Sequence, residues 1–100
     1  SELVAAVVDL LRRRGNPQRA SAPVRGATRR VLAERLGLGP DPAPGALVEV
    51  VAARTGRPAD QVGAALYGDA ATPVTSAGEL VALVRTLDTI RQEVLHVGIR

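Results

Sequence analysis

The chain has no cysteine, methionine, tryptophan or phenylalanine, and all 13 of its cationic Lys/Arg positions are arginine. Each absence removes a class of chemistry. Without cysteine there are no disulfides, thiolate metal sites or thiol nucleophiles. Without lysine there is no phosphate-binding loop of the Gly-x-x-x-x-Gly-Lys type and no Schiff-base catalysis. His96 is the only histidine, so imidazole metal clusters and His-based triads lack partners; its position at a helix C-terminus suits a capping role. No Gly-x-Ser-x-Gly elbow occurs. The ten carboxylates are scattered, with no close pair set up for general acid–base work. We therefore expect no catalytic residues, no cofactor and no metal. The sequence opens on Ser1 and reads as a piece of a longer protein.

Long apolar runs are also missing. Leu3 to Val8 is stopped by Asp9, far short of the roughly 20 residues a membrane-spanning helix needs. Charge is modest: the net value is +3, and the isoelectric point of about 11.0 reflects a chain with almost nothing to titrate between neutrality and the arginine range. That is weak support for nucleic-acid binding.

What remains is an Ala/Val/Leu/Arg-rich chain of 100 residues, 46% hydrophobic with one aromatic, Tyr67. This fits one small domain with a thin core. Apolar periodicity and stop signals predict a first helix over Glu2–Arg14, with Leu3, Val7 and Leu11 on one face and Gly15 as its end. Asn16 to Ala22 reads as a loop broken by Pro17. Ser21 is the candidate cap of a second helix that carries Pro23 in its first turn and runs to Leu36. Its buried stripe is Ala27, Val31, Leu32 and Leu36; Arg29, Arg30, Glu34 and Arg35 form its wet side. Gly39 to Gly45, with three prolines, is a stiff connector. A third helix, Gly45–Thr55, is apolar nearly all round and is expected to be the most buried. A short fourth helix runs from Pro58 to Tyr67 and contains Gly63, which suggests a close helix–helix approach. Ser76 and Glu79 form a capping box. It opens a last helix, Ala77–His96, whose apolar stripe makes it the spine of a bundle or, alternatively, a seam for homodimerisation.

The fold expectation is all-α: one helical domain over residues 1–100, a small bundle of four to five helices with a long C-terminal helix. Within it, Arg54-Thr55-Gly56-Arg57-Pro58 to Leu66-Tyr67-Gly68 resembles a helix-turn-helix in length and in its turn glycine. Its second helix offers only Gln61 and Asp60 as polar groups for base edges, which argues against nucleic acid as a partner. Arg54, Arg57 and Tyr67 are the candidate contact residues.

The segments Arg29-Arg30-Val31-Leu32-Ala33-Glu34-Arg35-Leu36-Gly37-Leu38, Ala46-Leu47-Val48 and Ala53-Arg54-Thr55-Gly56-Arg57-Pro58 carry a resemblance. Leu66-Tyr67-Gly68 and Glu79-Leu80-Val81-Ala82-Leu83-Val84 continue it. Over about residues 25–95 the order of these segments resembles the C-terminal region of a family of actinobacterial membrane proteins. That family has a central domain of unknown function, and its genes lie near those of MoxR-type AAA+ ATPases. The resemblance implies a helical tail on the cytoplasmic face of the membrane, beside a transmembrane segment outside this chain. It implies a protein partner of unknown identity and brings no catalytic residues.

Overall fold

The last helix shows how the chain signals its own boundaries. The Glu79 amide donates to Ser76 Oγ at 3.1 Å, as the capping box requires. Glu79 Oε1 reaches one residue further back than the motif's usual target, accepting from the Thr75 amide at 2.7 Å and the Thr75 hydroxyl at 2.8 Å. A computed structural model describes residues 2–96. It contains five helices: α1 (Glu2–Arg14), α2 (Pro17–Arg35), α3 (Pro44–Thr55), α4 (Ala59–Tyr67) and α5 (Ala77–His96). There is no strand among the described residues. The architecture is the expected all-α bundle with a long final helix. No helix among the described residues is long and apolar enough to cross a membrane.

The second helix departs from expectation. Residues 17–22 belong to α2, and its cap is Asn16, not Ser21. The Asn16 side chain accepts from the Arg19 amide at 2.8 Å, and Pro17 occupies the first turn, where its missing N–H has no helical partner to lose. Pro23 lies inside the helix and deletes the bond that the Arg19 carbonyl would accept. Packing outweighs that loss, since α1 and α5 both lie against α2 and bury Ala20 and Ser21. Ser21 turns its hydroxyl inward onto the Gln18 carbonyl at 2.6 Å. The buried stripe of α2 is consequently rotated: Ala20, Ser21, Arg25, Leu32 and Ala33 are inside, while Ala27 and Val31 are exposed.

Two apolar clusters hold the bundle. The larger joins α2, α3, α4 and α5 through Leu32, Leu47, Val51, Leu66, Leu87 and Ile90, every one of them buried. The smaller seats α1 on α2 and α5 through Val7, Ala20 and Leu80, with Val74 from the loop. That loop is pinned by the Val74 amide, which donates to Gln18 Oε1 at 2.8 Å. The stripe of α5 faces these clusters, so the residues proposed for a dimer seam pack inside this chain. α5 buries four apolar residues, Leu80, Leu87, Ile90 and Val94. The third helix buries only Leu47 and Val51, contrary to expectation, because it packs on the bundle by one face and leaves Ala46, Glu49 and Ala53 exposed. Gly63 is not forced by a close approach either. A methyl group there would stand 3.9 Å from Val48 Cγ2, an ordinary contact.

Candidate functional site

A nine-residue helix ends with four carbonyls that have no partner within it. In α4 these ends are met from outside. Arg25 and Arg29 sit one turn apart on α2 and point the same way. Arg25 Nη1 donates to the Ala64 carbonyl at 2.5 Å and to the Ala65 carbonyl at 2.8 Å. Arg29 Nη1 donates to the Leu66 carbonyl at 2.6 Å. Two guanidinium groups thus complete the C-terminus of α4, where the helix dipole favours positive charge. Arg25 is 7% exposed. Burial pushes its pKa down from the ordinary guanidinium value, and the neighbouring Arg29 charge adds to the effect. No carboxylate pairs with either side chain among the described residues.

Tyr67, the last residue of α4, lies under Arg29, with Cζ 4.8 Å from the ring centroid, a cation–π distance. Gly68 follows with φ 92° and ψ 165°, a region essentially confined to glycine. Its bare Cα faces the Arg25 guanidinium: a Cβ there would stand 3.5 Å from Arg25 Cζ. The corner therefore combines a helix end, two arginines, an aromatic face and a backbone turn that only glycine adopts without strain.

This corner borders an open groove between α2 and the proline connector. Arg29 and Arg30 form one wall, Pro40, Asp41 and Pro42 the other, and Tyr67 closes one end of a hollow of about 340 Å³. A second hollow of about 430 Å³ shares Arg30 and Pro40 and continues past Glu34 and Gly37. Arg30 is exposed and has no ion-pair partner among the described residues. A smaller, apolar hollow of about 160 Å³ lies between α2 and α5 near Val31 and Val84. The charges at its edge, Asp88 and Arg91, already pair with each other at 3.0 Å.

The three contact residues expected from sequence do not converge. Arg54 is exposed on the last turn of α3. Arg57 is committed to a two-bond fork on Glu93, at 2.9 and 3.2 Å. That bond raises the Arg57 pKa and lowers that of Glu93. Tyr67 stands at the opposite end of α4, roughly 13 Å along the helix axis. It joins Arg25, Arg29 and Arg30 instead. The signal for Arg25 is its position: with Ser21 and Leu32 it falls on the buried stripe of α2, where a charge demands a partner. Arg29, read from sequence as part of the wet side, is half-buried over Tyr67.

The helix-turn-helix corner has its turn in place, with Gly56 at φ 75° and its amide on the Ala52 carbonyl at 2.9 Å. α4 turns Val62, Ala65 and Leu66 inward and leaves Asp60 and Gln61 exposed. His96 is exposed at the end of α5. No group of three metal-ligating side chains occurs among the described residues. Comparison with protein-family models, curated proteins and solved structures returns no match.

Proposed function

We propose that this chain is a non-catalytic helical docking module, acting in protein–protein interaction as the tail of a larger bacterial membrane-associated protein. The observation that carries the reading is the open groove beside Tyr67, whose two wall arginines have no carboxylate partner among the described residues. Arg13, Arg57 and Arg91 each have a carboxylate within 3.0 Å, whereas the other described arginines, Arg29 and Arg30 among them, have none. A charged concavity of this kind suits recognition of another chain. The membrane context rests on the sequence resemblance. It predicts a transmembrane span in the open reading frame outside these residues, and a frame encoding only this domain would remove it.

Crosslinking of the 100-residue chain in a bacterial lysate, followed by identification of the captured proteins, tests the docking reading. The expected result is saturable capture of a specific partner that unlabelled domain competes away. Capture that does not saturate or compete overturns it. The rival reading is a nucleic-acid-binding module. It needs arginines on one face, whereas Arg12–Arg14 end α1 and Arg29 and Arg30 lie on the far half of α2, roughly 20 Å along that helix. Strongly salt-dependent binding of a DNA duplex, tighter than any protein partner, would favour the rival.

A further inference from the structure

We propose that the groove between α2 and the proline connector is a receptor for one acidic side chain on an extended peptide, seated between Arg29 and Arg30. The proposal rests on the docking reading and names the chemistry of the partner. Charge supports it first. α2 holds five of the chain's 13 arginines and a single carboxylate, Glu34, so this one helix is more positive than the whole molecule at +3. Two of the five, Arg29 and Arg30, line the groove, and neither is in an ion pair among the described residues.

Pre-organisation supports it second. Arg29 is held by the Leu66 carbonyl and the Tyr67 ring. Its Nη2 lies 3.7 Å from where a Cβ of Gly26 would stand, so the guanidinium rests beside bare backbone with little steric cover. Only Nη1 has a hydrogen-bond acceptor, which leaves donors for a carboxylate fork. The opposite wall carries prolines, which bring no amide donor and little conformational freedom. Fixed walls lower the ordering cost of binding.

The same geometry selects a peptide over a polyanion. Asp41 lines the hollow on one side of Arg30, and Glu34 lines the hollow on the other. A single carboxylate between the arginines meets two positive charges against the one negative charge of Asp41 in that hollow. A chain of phosphates running through both hollows would meet each of these acids. The hollow of about 340 Å³ is at the small end of ligand sites, suited to one side chain and its flanking backbone.

The test titrates the isotope-labelled 100-residue chain with the blocked peptide GSLELSG and its neutral counterpart GSLQLSG, read by amide NMR shifts. Saturating shifts are expected at Gly26, Arg30, Asp41 and Tyr67, with binding about tenfold weaker for the glutamine peptide. Arg30→Gln should weaken GSLELSG binding by about the same factor without changing the rest of the spectrum. Arg85→Gln, an exposed charge on α5, serves as the control and should bind as the parent does. Shifts spread evenly over all arginines, equal binding of the two peptides, or an Arg30→Gln protein that binds normally would overturn the proposal. So would a short DNA duplex that shifts the groove amides at lower concentration than the peptide. Repeating the lysate crosslinking with Arg30→Gln separates the two levels. Undiminished capture of the same partner sinks the groove and leaves the docking module standing. Absence of specific capture by either protein sinks the module itself.

Discussion

The two ends of α4 are both tied by arginine and both flanked by a glycine of positive φ, Gly56 and Gly68, yet they are built on opposite principles. At the N-terminal end Arg57 meets Glu93, charge against charge, with side chains 23% and 39% exposed. Water screens such a pair, and its two members neutralise each other. At the C-terminal end Arg25, 7% exposed, meets only carbonyl oxygens. Its charge is balanced by a helix dipole and by nothing ionic. One end is an accessory fastening. The other meets the open carbonyls of a nine-residue helix, which needs outside support to persist. Residue type alone does not set what an arginine contributes; burial and partner do.

Arg25→Met puts the largest load on that contrast. The variant keeps the apolar stem but leaves the Ala65 carbonyl buried without its donor and weakens the bonding of Ala64. We expect a loss of about 3 kcal/mol in urea unfolding, from two hydrogen bonds to a charged donor. A loss below about 0.5 kcal/mol, the level of an ordinary surface change, would make the two ends of α4 equivalent and break the comparison. Next in size are the two glycines. Gly68→Ala forces a Cβ into a φ, ψ region that glycine alone tolerates and should cost about 2 kcal/mol. Gly56→Ala, at φ 75° and ψ 8°, stays within the left-handed helical region and should cost about 1 kcal/mol. Equal thermal shifts for the pair would show that the Gly68 geometry is not the stiffer of the two.

The sequence made one of these ends legible and hid the other. Gly56, the Ser76–Glu79 cap and the stripe of α5 follow from local rules, because their partners lie within a turn or two of chain. Arg25 contacts carbonyls 39 and 40 residues away. Every residue carries a carbonyl, so no side-chain pattern marks which ones will be left open at a helix end. The start of α2 was obscured for a related reason. Pro17 looks like a break locally and Pro23 like a first-turn residue, and only the burial of Ala20 and Ser21 against α1 and α5 makes a helix through Pro23 favourable. The groove inherits both difficulties. Its walls come from α2 and from a connector that reads as mere spacer. Arg29 and Arg30 look like a solvated face until the rotation of α2 and the position of Tyr67 are known.

The smallest effect concerns the other end of the comparison. A double-mutant cycle of Arg57→Gln and Glu93→Gln should give a coupling of about 0.5 kcal/mol at neutral pH, as exposed ion pairs do. Its pH dependence carries the sharper information. Glu93 has its pKa lowered, first by the hydrogen bond from Arg57 and then by that side chain's charge. A carboxyl whose folded pKa lies below its unfolded value near 4.3 contributes stability above that value. It loses the contribution as pH falls through the folded pKa, where the native state must take up a proton. The stability gap between the parent and Glu93→Gln should therefore be constant from neutrality down to about pH 5 and close below pH 4. Arg25→Met should show no such closure, since its partners are carbonyls that do not titrate. A gap for Arg25→Met that also collapsed in acid would mean a carboxylate balances the buried guanidinium after all, and the two ends of α4 would share one mechanism.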